Sequence, residues 1–373
     1  MPGRYPQSRK ETMLQTPLNA FHRQCNARLV DFAGWEMPVM YTSIIEEHNY
    51  TRQHCSVFDV SHMGRVEFRG PDAGRFMEHL NTRNIGSATP GACRYSHMCK
   101  ADGGILDDVI VSKFADHFLV VCNASNREKL LGWWQQQRRG FDVDIVDRTM
   151  ETAMVAIQGP QAMQTMSQLL PIPLDDLKRY RFKTGNVMDA QYFIARSGYT
   201  GEDGVEIVLP AGMAMIAVQM LISRSADLGR LIKPAGLGSR DTLRLEAAMP
   251  LYGHELTEDW DSITAGQEWA VDLTKDFVGS VALKRIKAAG PRRKVTGFEV
   301  DGKRIARPGT TIHHGGRQVG TITSGTQSPT LGKNIAMGLL DSGLSRPGEK
   351  VEVDIRGTKA SATVVPLPFY KRG

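Results

Sequence analysis

Cys99-Lys-Ala-Asp-Gly-Gly-Ile-Leu-Asp-Asp-Val-Ile-Val-Ser-Lys113 reads as a tight turn at Asp102-Gly103-Gly104 that feeds a strand of bulky apolar residues. Two carboxylates, Asp107 and Asp108, sit in the middle of that strand. Aspartate is disfavoured in strands, and Ile105, Leu106, Val109 and Ile110 around the pair leave little room for water. Because side chains alternate across a strand, the two acids are expected on opposite faces, one reaching solvent and the other the packed side. A carboxylate in a partly apolar cleft serves as a proton acceptor or stabilises a developing cation. The alternative is an edge strand with two solvated acids.

Outward from this stretch the chain alternates short strands, turns and helices. Strands are predicted over Arg94 to Met98, Ile105 to Phe114 and Phe118 to Asn123, with paired strands over Val57 to Phe68. Helices are predicted at Thr16 to Arg28 (Thr16 as cap), Ser43 to His54, Pro71 to Leu80 and Ser125 to Arg139. Strands at Met154 to Gln158, Asn186 to Ser197 and Val205 to Leu209 precede a helix at Gly212 to Leu228. Met1 to Met13 reads as a loose polar tail. Such a mixture argues an α+β fold rather than a wound parallel sheet. From Arg292 onward six short strands are separated by Gly, Pro and Asp, and His314-Gly-Gly-Arg317 is a strong hairpin signal. This is a separate all-β unit, a small barrel or sandwich, with its boundary near Ala288 to Arg293.

With 373 residues the chain exceeds one ordinary core, and two or three domains are expected. A net charge of +6 favours approach of an acidic partner, but no Lys/Arg block with interleaved aromatics supports nucleic-acid binding. Five cysteines with no C-x-x-C pair argue against a disulfide framework or a zinc site and fit a reducing compartment. No secretory h-region and no long apolar window appear, so neither export nor a membrane span is expected. Phosphate cradles, G-x-S-x-G and H-E-x-x-H are absent as well, which leaves metal, nucleotide and serine-hydrolase chemistry without a motif.

Two further stretches combine glycine with charge. Ser197-Gly-Tyr-Thr-Gly-Glu-Asp-Gly-Val-Glu206 lets backbone approach something closely and places Glu206 at the start of an apolar strand. Gly236-Leu-Gly-Ser-Arg-Asp-Thr-Leu-Arg-Leu-Glu246 runs from a glycine turn into a helix, with Arg240 near its N-terminus, where a cation opposes the dipole. An arginine in that position is expected to pair with a carboxylate. A structural salt bridge is the competing reading for both Glu206 and Arg240.

Six motifs in order carry a family resemblance. They are Asp31-Phe-Ala-Gly-Trp-Glu-Met-Pro38, Phe58-Asp-Val-Ser-His-Met-Gly64, Gly103-Gly-Ile-Leu-Asp-Asp108 and Gly198-Tyr-Thr-Gly-Glu202, followed by Gly238-Ser-Arg-Asp-Thr-Leu-Arg-Leu-Glu246 and Thr323-Ser-Gly-Thr-Gln-Ser-Pro-Thr-Leu331. Together they resemble the aminomethyltransferase family, that of the glycine cleavage T-protein, from about Thr16 to Pro368-Phe369-Tyr370. The resemblance implies a three-domain cloverleaf with tetrahydrofolate as co-substrate in a central funnel. Two mixed α/β folate-binding domains would comprise residues 1–55 with 150–285, and residues 56–149, the latter with the catalytic Asp. Residues 290–373 would form a C-terminal barrel-like domain.

The implied reaction takes an aminomethyl group from the lipoyl arm of H-protein and yields 5,10-methylenetetrahydrofolate and ammonia. By resemblance Asp108 is catalytic, Glu206 holds the pterin, and Arg240 belongs to the folate pocket, pairing with the pterin's acceptor edge or with Glu206. Tyr95, Tyr180 and Tyr199 resemble pocket tyrosines, and Asn123 and Trp269 line the same pocket. No metal is implied. Lys100 departs from the usual Asn before the Gly-Gly turn, and Pro250 is also unusual. Competing functions are a folate-dependent demethylase of a small methylated compound and a non-catalytic folate-binding assembly factor. The latter carries a Lys-Gly-Cys motif, and no cysteine here follows a glycine. The short N-terminus favours the bacterial cytoplasm over a mitochondrial presequence.

Overall fold

The computed structural model describes residues 13–187 and 190–373. The polar tail read over Met1 to Met13 therefore lies, apart from Met13, outside the described residues.

Strand alternation builds the centre of the molecule. Along Thr152–Gln158, Ala153, Val155 and Ile157 face one apolar cluster while Met154 and Ala156 face another. The first cluster packs against the helices Ala162–Leu169 and Ala214–Asp227. The second joins this six-stranded sheet, through Phe58, Phe193 and Val208, to Cys93, Ile110 and Val121 of a five-stranded sheet. Behind the five-stranded sheet, Val66, Phe68, Val109, Val111 and Val120 bury the helices Ala73–Leu80 and Arg127–Gln137. The result is four layers, helix, sheet, sheet and helix, with an apolar seam between the sheets. Phe76, Met77 and Leu80 are fully buried, as the helical spacing of Pro71 to Leu80 predicts. A small three-stranded sheet contains Leu14–Gln15, Arg28–Phe32 and Trp35–Met40.

The α+β class holds, and the C-terminal unit is a closed six-stranded barrel from Arg293–Val300 to Thr358–Val365. His314 pairs with Arg317 across Gly315 (φ 57°) and Gly316 (φ 78°), a two-residue turn that needs left-handed backbone at both positions.

Three expectations need correction. The strands over Val57 to Phe68 do not pair: Ser56–Asp59 belongs to the six-stranded sheet and Gly64–Arg69 to the five-stranded one. The helix at Thr16 to Arg28 is shorter, Asn19–Gln24. Thr16 is not its cap but donates to Asp59 (2.6 Å), and Asn26 at φ 52° reverses the chain into the next strand. Finally, Ile105–Lys113 is not an edge strand. It lies between Ala92–Cys99 and His117–Cys122, so its two acids are enclosed from both sides.

Candidate active site

The turn before the acids is closed by backbone: Lys100 N–H donates to the Gly104 carbonyl (2.8 Å) and Gly103 N–H to the Lys100 carbonyl (3.0 Å). Lys100 in place of asparagine therefore leaves the turn intact. Gly104 has no alternative, because a Cβ there would run into the Glu258 carbonyl. The following residue, Ile105, donates to the Thr257 carbonyl (3.1 Å), which pins the strand under the segment around 257–261.

Alternation then separates the acids as expected. Asp107, Val109 and Val111 point to the helical layer, and Asp107 is fully buried. It accepts from Asn123 N–H (3.0 Å), Asn123 Nδ2 (2.8 Å) and Asn126 Nδ2 (2.6 Å). Asp108 points with Ile110 into the space between the sheets and is half-buried. Register places Asn123 just beyond Cys122 and opposite Asp108, so its Nδ2 also donates to Asp108 Oδ1 (2.8 Å). One asparagine thus grips both carboxylates. Burial lifts both acids above the ordinary aspartate range, and the charge of Asp108 lifts Asp107 further. The Asn123 and Tyr95 side chains act the other way on Asp108 and favour its anion.

Tyr95 lies diagonally across the strand pair from Asp108, within reach for an aromatic side chain. Its ring stacks on Trp269 (5.2 Å, 20° between planes), and Trp269 is 55% exposed, so that indole forms the rim rather than the floor. Tyr199 bridges to the other sheet. Its ring lies under the Arg240 guanidinium (4.9 Å), its hydroxyl donates to the Pro250 carbonyl, and Asp108 is among the charges that push its phenol upward. Pro250, unusual in the sequence, thus anchors a pocket tyrosine. Tyr180 is half-buried at φ 57°. Its carbonyl accepts from Cys93 N–H (2.8 Å), and its ring packs in the cluster that contains Ile110.

Glu206 and Arg240 occupy the opposite wall. Glu206 shares the inter-sheet face of its strand with Val208, is 9% exposed, and accepts from the Ser197 hydroxyl (2.6 Å). Arg240 lies one helical turn before Leu243, which packs in the same seam. Burial pulls its guanidinium down and the nearby Glu206 carboxylate holds it up. Yet the expected ion pair does not form: Arg240 and Glu206 are not in contact, and Arg240 Nη1 is buried without a partner. A buried unpaired donor is unfavourable by about 1–3 kcal/mol, so something must complement it.

The fully paired arginine of that helix is one the sequence reading missed, Arg244. It is 1% exposed and donates to Glu255 Oε2 (2.9 Å), Asp241 Oδ1 (2.8 Å) and Ser324 Oγ (2.8 Å). Thr323 donates to the other Glu255 oxygen (2.5 Å), and Ser328 and Thr330 donate to Glu246 (2.5 and 2.8 Å). The barrel motif Thr323 to Leu331 therefore fastens the barrel to the helix carrying Arg240. Arg52 adds to the seam through Glu246 (2.9 Å) and Glu202 (2.8 Å). Burial works to raise Glu246, but His48 (3.2 Å) first, then Ser328 and Arg52, depress it to about 2. A Ser/Thr-rich motif opposite an acid-bearing helix was the available signal for this seam.

Residues 18–275 match the GCVT N-terminal domain, and residues 293–371 match the glycine cleavage T-protein C-terminal barrel domain. The chain belongs to the glycine cleavage T-protein family. Its activity class is aminomethyl transfer. An aminomethyltransferase of Rubrobacter xylanophilus is 45% identical over 366 residues, covering 97% of this chain and 95% of the relative. One from Desulfitobacterium hafniense is 42% identical over 360 residues, covering 96% and 98%. The crystal structure of the glycine cleavage system aminomethyltransferase T from Bartonella henselae superposes with a TM-score of 0.90 at 32% identity, covering 96% of this chain and 98% of that one. The six motifs on which the T-protein resemblance was read thus lie within matched regions. Among the described residues no helix is long and apolar enough to cross a membrane.

Proposed function

We propose that this T-protein family member uses tetrahydrofolate as acceptor and a lipoylated H-protein as donor, with Asp108 as its catalytic carboxylate. Arg240 carries the reading. Its buried, unpartnered Nη1 stands near a carboxylate it does not touch, across the seam from Asp108. A pterin offers what that gap lacks, an acceptor edge for Arg240 beside adjacent N–H donors for Glu206. Tyr95, Tyr180 and Tyr199 supply flat apolar walls, Asn123 orients the acid, and Trp269 closes the rim. The division into 1–55 with 150–285, 56–149 and 290–373 is proposed as the domain plan, since the pocket then falls between its first two parts. The bacterial sources of the relatives support a cytoplasmic setting.

When folate is bound, its nitrogen is the nucleophile that takes the one-carbon unit. Asp108, as an anion held by Asn123, stabilises positive charge on the migrating carbon and takes the proton the nitrogen loses. Asp107, facing the helices and saturated with donors, is structural.

Glu206→Gln tests the pocket. An amide offers one acceptor oxygen and turns an NH2 donor toward the second N–H, so it cannot take the bidentate pair. The Kd for tetrahydrofolate is therefore expected to rise about 10- to 100-fold by titration calorimetry, the range for a lost charged hydrogen bond. Unchanged affinity would move the pterin elsewhere.

A further inference from the structure

Beside Asn123, the diagonal neighbour Tyr95 also favours the Asp108 anion, and Tyr95 in turn meets groups the mechanism above does not use. His97 lies two residues along the strand from Tyr95, on the same face and directly opposite Asp108 in register. It is fully buried. Its Nε2 lies 3.1 Å from the Tyr95 hydroxyl and its Nδ1 2.7 Å from the Ser262 hydroxyl, and Ser262 is fully buried too. From Tyr95, the diagonal neighbour of Asp108, hydrogen bonds thus run through His97 to Ser262, into the segment that covers the site.

We infer that His97, itself oriented by Ser262, is a positioning residue that fixes the direction in which Tyr95 donates its proton, toward Asp108. The inference rests on the catalytic reading of Asp108. Burial pushes His97 down to about 3, so at working pH the ring is neutral and carries a single N–H. A neutral ring has two ways to fill these contacts. If Nδ1 carries the proton, Nε2 accepts from Tyr95, and the phenol is turned away from the carboxylate. If Nε2 carries it, the ring donates to the Tyr95 oxygen, the phenol proton is left for Asp108, and Nδ1 accepts from Ser262. The anion on Asp108 favours the second arrangement, and the second arrangement favours the anion.

Other groups that act on Asp108 are Asp107, through its charge from the opposite face of the strand, Asn123 at the neighbouring strand's end, and Tyr199 from the Gly198 turn. Around His97 the partners are uncharged: Tyr95, Ser262, and Thr82, whose hydroxyl accepts from the His97 backbone N–H (3.0 Å). The Tyr95 hydroxyl is the hydrogen-bond partner through which the state of the His97 ring reaches toward the carboxylate. Trp269, stacked on the Tyr95 ring, holds the other coordinate of the same phenol.

The test is the pH profile of aminomethyl transfer in the full chain, read as kcat with saturating folate. In His97→Phe, which keeps a ring but no donor, the acid limb of kcat is expected to move up by about half to one pH unit. KM for folate is expected to change less than about threefold, since His97 touches neither Glu206 nor Arg240. His97→Gln, whose amide nitrogen reaches the Nε2 position, is expected to restore most of the profile. Ser262→Ala, a milder change, is expected to shift the limb in the same direction by less, and it decides the matter if His97→Phe does not fold. An unmoved acid limb in folded His97→Phe, or in Ser262→Ala if that variant must decide, would overturn the inference and leave His97 as packing. Absence of turnover in the wild type would instead strike the catalytic reading on which it rests.

Discussion

Asp108→Asn is expected to lower single-turnover transfer from aminomethyl-loaded H-protein to tetrahydrofolate by about 10²- to 10⁴-fold, the range for removing a positioned acid–base group. The amide keeps the shape and still meets Asn123, but it cannot balance a positive carbon or take the nitrogen's proton. Folate affinity is expected to stay within about threefold of wild type, because the groups assigned to the pterin, Glu206 and Arg240, lie on the opposite wall. That split is the signature of a group used in the transition state rather than in binding. Rapid-quench measurement of methylenetetrahydrofolate, paired with calorimetry of folate binding, checks both halves. Asp107→Asn is the internal control. It changes the neighbouring carboxyl, which faces the helical layer and already accepts three hydrogen bonds. A loss of transfer in Asp107→Asn matching that in Asp108→Asn would point to the pair, not Asp108, as the functional unit.

Arg244→Met is expected to destabilise the chain by about 3–5 kcal/mol, read as a lowered urea midpoint, which is a large share of an ordinary domain's stability. The reason is what the arginine leaves behind. Glu255 is fully buried, and without Arg244 it keeps only the Leu251 N–H (3.0 Å) and Thr323 (2.5 Å) as donors. Ser324 loses the Arg244 donor at the same time and keeps His254 Nδ1 (3.1 Å). Adding Glu255→Gln to Arg244→Met is expected to recover part of the loss, since the orphaned charge is then gone, and the two changes are expected to be strongly non-additive. Full additivity would show that the seam between helix and barrel is not the cooperative unit described above.

How much of this was legible in the residues differs by element. Periodicity was enough for the four-layer centre: alternation along Thr152–Gln158 and helical spacing along Ala73–Leu80 each named their buried faces. The Gly-Gly hairpin of the barrel was equally plain, because only glycine sits comfortably at both positive-φ positions. Thr16 sits too early to cap: its hydroxyl accepts from the Leu18 N–H (3.3 Å), ahead of a helix that starts only at Asn19, and donates to Asp59, a partner 43 residues away that no local pattern announces. Ser56–Asp59 and Gly64–Arg69 read as partners since they are close in sequence, but the chain changes sheets between them. At the site, alternation correctly sent Asp107 and Asp108 to opposite faces. What it does not give is Asn123 reaching around the strand end to both. Arg240 was expected to find a carboxylate and did not, while Arg244, four residues on, did. Composition and spacing treat those two arginines alike. Only the fold distinguishes the one that closes a structural seam from the one left open toward a cleft.

The most direct test of the central claim is to load H-protein with the aminomethyl group, add the wild-type chain, and follow ammonia release with and without tetrahydrofolate. Ammonia release that requires folate and matches 5,10-methylenetetrahydrofolate mole for mole is the result predicted here. Folate bound without any transfer from H-protein, or one-carbon transfer only from a small methylated compound, would contradict it.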